Sequence, residues 1–269
     1  MNYRYAACYV AIRNDFCLEE SIVALLEQGV EHVLILSPET YWSNDEPQEQ
    51  GDFDELAEIA KRTGSELATA KLKSTKEEYT ALHTEALYRN YGACMLIETT
   101  KADYILVVDA DEFWMPGTLK HVDTVLRDKP DLKVTLPGIP VAGFPGLPIE
   151  GAKDAILAAH ARGLQFEWGR TMPKGTTIEG SQPVIHFSAT RRKPEEIADK
   201  MRMSAHYGDS NYDFDGWIKD TLPNIRVGMK DVHMYQSEDN IWPRVRAWTP
   251  EEMTAIPATL HPYLSSEIA

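Results

Sequence analysis

Four apolar runs in the first half of the chain, each continuous rather than alternating, limit the folds open to it. They are "YAACYVAI" (Tyr5 to Ile12), "HVLIL" (His32 to Leu36), the weaker "ELATA" (Glu66 to Ala70) and "YILVV" (Tyr104 to Val108). Each is short enough for a strand buried on both faces. Helix-like segments separate them. "EESIVALLEQG" sets Ile22, Leu25 and Leu26 at helical spacing, with Gly29 as a stop. Asp52 and Glu55 have capping-box spacing ahead of Leu56 and Ile59, and Gly64 closes that helix. Thr75, in a T-x-x-E box with Glu78, opens a third helix running to about Thr99, and a fourth passes through Leu119, Val122 and Leu126. Strands and helices alternating in this way predict an α/β fold, a Rossmann-like, mostly parallel sheet flanked by helices on both faces.

After about Thr135 the character changes. "LPGIPVAGFPGLPIEG" holds Pro137, Pro140, Pro145 and Pro148 among four glycines and reads as a boundary or a shaped loop. Beyond it the pattern predicts a helix near Ala152 to Ala161, short strands near "LQFEW" and "PVIHF", and a helix from about Pro194. The division is an α/β half over residues 1–135 and an α+β half over 136–269 of the same domain.

Parallel sheets bind ligands beyond the carboxyl ends of their strands. At one such end stands "YILVVDADEFW", in which an apolar strand runs straight into Asp109, Asp111 and Glu112. Carboxylates so close raise one another's pKa and repel, so something positive belongs beside them. A plainer reading makes Asp109 and Asp111 caps of a helix starting near Pro116. One cap needs one carboxylate, however, and three are present. A hard divalent cation such as Mn²⁺ or Mg²⁺ neutralises oxygen ligands and bridges to phosphate.

The chain carries 27 basic and 42 acidic residues, a formal charge of −15. Its average field repels nucleic acid and anionic membranes, and a polyanionic ligand needs a local basic patch. "RRK" (Arg191 to Lys193), followed by Lys200 and Arg202, is a patch of about the size of a diphosphate. Cys8, Cys17 and Cys94 are odd in number and unclustered, against a disulfide framework or a structural zinc site. With no signal-peptide core and no apolar run as long as a membrane span, the expected location is cytoplasmic.

Read together, "VAIRND", "ESIVALLEQGVEHVLIL", "ALYRNYG" and "ADYILVVDADEF" resemble the family 2-type glycosyltransferases of the GT-A fold, in the subgroup with a D-x-D-E-F signature. The resemblance implies a metal-dependent enzyme that moves a sugar from a nucleotide-diphosphate sugar (UDP- or GDP-linked) to a hydroxyl of a saccharide or glycoconjugate acceptor, with inversion. It implies that Ala11, Arg13 and Glu39 line the nucleotide pocket, Glu39 near the base, and that Arg89 and Asn90 lie near the nucleotide and its diphosphate. Asp109 would contact ribose or metal, and Asp111 would be the principal metal ligand. "VIHFSATRRKPEEIADKM" looks like the subgroup's strand-borne His followed by a basic, helix-initiating segment. His186 is favoured to complete the metal shell, with His206 and His233 as rivals, and Arg191, Arg192 and Lys200 would neutralise the departing diphosphate. A nucleic-acid acceptor is disfavoured by the charge.

The base that would deprotonate the acceptor has no clear counterpart. Asp209 and Asp213 are the leading candidates, with Asp215 and Glu150 behind them. Among the tryptophans, Trp168 in "FEWGR" is the one expected to touch an acceptor sugar, the others being core by residue type. Two other readings stay open. "GDSNYD" (Gly208 to Asp213) matches the later metal motif of haloacid-dehalogenase-like phosphatases, in which Asp109 would be the nucleophile. A non-catalytic nucleotide-sugar binder would need no base.

Overall fold

The structure, a computed structural model, describes residues 3–41, 46–72, 81–128, 133–150, 155–167, 177–179, 184–203, 213–233 and 242–269. It opens with β1 (Tyr5–Val10), α1 (Leu18–Glu27), β2 (His32–Pro38), α2 (Gln50–Thr63), β3 (Glu66–Ala70), α3 (Ala81–Thr99) and β4 (Tyr104–Asp109). β1 pairs in parallel with β2 and β4, and β2 with β3, in the order β3-β2-β1-β4. Alternate residues of β1 feed opposite cores. Tyr5, Ala7 and Tyr9 meet Ile22 and Leu25 of α1 and Leu56 and Ile59 of α2. Ala6, Cys8 and Val10 meet Ala86, Tyr88 and Leu96 of α3. A strand covered on both sides has no polar face to present, which is why these runs are apolar throughout.

The helix stops are as expected. Gly29 (φ +103°) follows α1, and Gly64 (φ +72°) caps α2 in the left-handed region. The capping box at Asp52 and Glu55 is corrected: α2 begins at Gln50 behind Glu49, and Asp52 sits in its first turn. There the carboxylate faces the positive end of the helix dipole without bonding as a cap. The Thr75 start of the third helix lies outside the described residues.

α3 approaches β1 closely at Gly92. A Cβ there would collide with Cys8 Sγ and come within 3.3 Å of Leu36 Cδ2. Gly92→Ala is therefore expected to destabilise the protein by about 1–3 kcal/mol, read from the urea midpoint, despite the better helix propensity of alanine.

The rest of the chain includes β5 (Glu112–Trp114), α4 (Thr118–Asp128), β6 (Lys133–Ala142), β7 (Leu147–Glu150), β8 (Ala155–His160), β9 (Thr177–Glu179), β10 (Val184–Ala189), α5 (Pro194–Met203) and β11 (Arg244–Val245), with short helical segments after α5. Three expectations change here. Residues 155–160, expected to be helical, are a strand lying antiparallel between β4 and β6. "AILAAH" suits either state locally, and hydrogen-bond partners on both edges decide for strand.

The proline-rich segment is also strand rather than loop. The first half of β6 pairs with β8 and β9, and its second half with β10 and β7. Pro137 ends the register with β8 and Gly138 begins that with β10, so a residue without an N–H falls where the pairing changes hands. A turn at 143–146, with a cis Phe144–Pro145 bond, leads into β7. Finally, residues 164–167 of "LQFEW" are irregular. Asn90 holds them from α3, its amide donating to Phe166 O (2.8 Å) and accepting from Phe166 N (2.7 Å).

β10, parallel to β6 and antiparallel to β5, carries a second core. Phe16, Phe113, Phe187, Ile197, Trp217 and Trp248 are among its members. Among the described residues no helix is long and apolar enough to cross a membrane.

Candidate functional site

The carboxyl end of β4 is where the acidic residues gather. After Asp109 the chain makes a two-residue turn and enters β5, so neither Asp109 nor Asp111 caps α4, which starts only at Thr118. β5 lies in register with β10, His186 opposite Glu112, Ile185 opposite Phe113 and Val184 opposite Trp114. Phe187 N donates to Asp111 O at 2.9 Å, which pins the turn to the same strand. From the other side, the Ser21 hydroxyl of α1 donates to Glu112 O at 2.5 Å and bonds Tyr9 at 2.8 Å. The acidic turn is thus clamped between α1 and β10.

Asp109 and Asp111 each have a protein cation beside them. Asp109, at the half-exposed rim, accepts from Arg89 Nη2 at 2.7 Å, and Arg89 is also paired with Glu85 one helical turn back. Arg89 is 2% exposed. Asp111 is buried. Its Oδ2 takes Arg191 Nη2 at 3.0 Å and Lys200 Nζ at 2.5 Å, while Oδ1 lies 3.4 Å from His186 Nε2. Burial alone would raise this carboxyl. The charge of Lys200, then His186 and Arg191, outweighs burial and holds it well below the usual carboxylate range. Arg191 reaches Asp15 Oδ1 at 3.5 Å and donates to the carbonyls of Phe187 and Thr190.

Asp109, Glu112 and His186 each offer a ligand atom, all within 4.8 Å of one another. Glu112 is fully buried and accepts from Asp109 N at 3.2 Å. Two carboxylates and an imidazole this close could hold a divalent cation such as Mn²⁺ or Mg²⁺, with Asp111 beside the group through His186. Glu112 belonged to the quoted acidic run, but its facing of His186 comes from the β5–β10 register alone.

The other sequence-derived residues distribute as follows. Ala11 is buried and donates to Leu36 O. Arg13 bonds Glu196 O at 3.2 Å and lies 3.8 Å from Asp15. Glu39 is exposed at the end of β2, its N–H donating to Ala70 O. Arg192 donates to the carbonyl of Phe16. Phe16 itself is held at φ +37° by contact with Phe187 and Tyr263.

Asp213 is exposed and accepts from Gly216 N at 2.9 Å, capping a short turn that packs on α5. Asp215 is exposed, and so is Glu150, which stands opposite Arg244. His233 packs edge-on against Trp242. Asp209, His206 and Trp168 lie outside the described residues. Trp114, Trp217, Trp242 and Trp248 are all core. Asp15 is the residue that sequence reasoning missed, since nothing local marks it as a partner for Arg191.

A cleft of about 350 Å³ lies at the opposite, amino end of the strands, by His32 and Glu66 at the starts of β2 and β3, and takes no part in this cluster. No protein-family model matches the chain, and no curated protein matches it.

Proposed function

We propose that this protein is a metal-dependent glycosyltransferase of GT-A type, moving a sugar from a nucleotide-diphosphate sugar to an acceptor hydroxyl. The observation that carries the reading is the convergence of Asp109, Asp111, Glu112 and His186 with Arg191 and Lys200 at one strand tip. Carboxylates to hold a cation and cations to hold phosphate are both needed there, and both are present. In this reading Asp109, Asp111 and His186 hold Mn²⁺ or Mg²⁺, with Glu112 against the same cluster. The ion supplies Lewis-acid stabilisation of the departing diphosphate.

The chain's own residues do the rest. Arg89 orients Asp109, and Arg191, immobilised by two carbonyls and Asp15, keeps Asp111 ionised and aimed at the site. Lys200 stands at its rim, where it can meet phosphate oxygen. Ala11, Arg13, Glu39 and Asn90 belong to the nucleotide side, and Asp213, beside α5, is a candidate base with Asp209. The acceptor is a saccharide or glycoconjugate, and displacement at the anomeric carbon inverts it.

Thermal unfolding with UDP, GDP and their sugars, with and without Mn²⁺, tests this. A ligand at a hundredfold above its Kd adds about 2.7 kcal/mol. Stabilisation by one nucleotide that needs the cation is the expected result. Indifference to every nucleotide would sink the reading. Hydrolysis of phosphate monoesters without nucleotide preference would point instead to Asp109 as a nucleophile.

A further inference from the structure

We infer that Asp15 is a positioning residue for the donor's diphosphate: one oxygen of its carboxylate, anchored on the buried Arg191, holds the Arg13 guanidinium where phosphate is to lie. This rests on the function proposed above and gives Asp15 a part beyond immobilising Arg191. Its Oδ1 lies 3.5 Å from Arg191 Nη2 and 3.8 Å from Arg13 Nε. A single oxygen thus stands between two guanidiniums.

The two are held unequally. Arg191 is buried and fixed by Asp111 and by the carbonyls of Phe187 and Thr190, so it is the immobile end. Arg13, with 19% of its side chain exposed, follows β1, whose last residue Val10 stands opposite Asp109 in the sheet. It therefore lies at the same strand ends as the acidic turn. Asp15 engages its Nε and the carbonyl of Glu196 its Nη2 (3.2 Å), which leaves Nη1 for a ligand. A guanidinium is a rigid fork suited to phosphate, and it binds well only when it is aimed.

The loop that carries both residues is stitched to the segment before α5. Besides the Asp15–Arg191 contact, Arg192 Nη2 donates to Phe16 O at 3.3 Å. Asp52, with Glu49 and Glu55 around it, also lies in the field of Arg13, but among the described residues it makes no ion pair with it. Two carboxylates thus flank one guanidinium, one in contact and one at a distance. Removing a carboxylate near a polyanion strengthens binding by Coulomb's law alone. Removing one that aims a phosphate donor weakens it. The sign of the change separates the two.

Isothermal titration calorimetry at saturating Mn²⁺ reads that sign on wild type, Asp15→Asn and Asp52→Asn, with UDP and GDP each set against its nucleoside and circular dichroism to check folding. Asp15→Asn is expected to bind the diphosphate that wild type prefers about tenfold more weakly, the scale of one charge-assisted hydrogen bond, and the nucleoside as wild type does. Asp52→Asn is expected to bind the diphosphate at least as tightly as wild type. A folded Asp15→Asn that keeps or gains affinity, or loses it equally for the nucleoside, overturns the positioning role and leaves the proposed function standing, as does an equal loss in Asp52→Asn. Should Asp15→Asn not fold, Arg13→Met takes its place, with the same loss expected and wild-type affinity overturning the role. If wild type binds neither diphosphate, both fall together.

Discussion

Replacing Asp111 by Ala is expected to lower the free energy of unfolding by about 3–5 kcal/mol, the scale for removing one partner of a buried ion cluster. Arg191 is the reason. It is fully enclosed, and without Asp111 its remaining acid is Asp15 at 3.5 Å. Urea denaturation measures the loss. The double variant Asp111→Leu with Arg191→Met is expected to lose less than the sum of its singles, because no charge is then left buried alone.

The same variant has a pH signature. In wild type the folded carboxyl lies well below its ordinary value. Its stabilisation is therefore full above the unfolded value of about 3.9 and is lost as pH falls through the lower folded value. The deficit of Asp111→Ala should shrink below about pH 4. A deficit that grows as pH falls below about 4 would contradict the ion cluster. Cation-dependent stabilisation by nucleotide is expected to vanish in this variant at every pH.

The second large effect is expected at Trp114. It is completely buried in β5, in the core shared by α1 and α4, and opposite Val184. Trp114→Ala should cost about 3–5 kcal/mol through the cavity it leaves. Its indole N–H has no hydrogen-bond partner among the described residues. Trp114→Phe therefore forfeits only packing and should cost about 1–2 kcal/mol.

Trp248 is the contrast. It is equally buried, but its N–H donates to Gly146 O at 3.1 Å, so Trp248→Phe also loses a buried hydrogen bond, although Gly146 O keeps the one from Ser265 N. Urea midpoints should therefore rank Trp248→Phe below Trp114→Phe. Because β5 holds the register that sets His186 opposite Glu112, Trp114→Ala is also expected to weaken Mn²⁺ binding, whereas Trp114→Phe should leave it near wild type.

Much of the first half was legible in the residues. Strands buried on both faces must be apolar throughout, so β1, β2 and β4 announce themselves, and Gly29 and Gly64 end helices because their backbone turns left-handed. A strand tip ending in carboxylates marks itself as a place needing positive charge. The second half was less legible, since its elements are chosen by neighbours. "AILAAH" carries no signal that separates helix from strand until β4 and β6 stand on either side of it. β6 places Pro137 where its pairing changes partner.

The sequence by itself determined the parallel sheet, the acidic turn at its edge and the need for compensation, because each follows from local pattern and from the repulsion of adjacent like charges. Only the tertiary structure decided what compensates whom. Arg89 meets Asp109 across 20 residues, and Lys200 and Arg191 meet Asp111 across 89 and 80. Separations of that kind are set by strand register and helix placement. Coulomb attraction acts through space and leaves no periodicity along the chain.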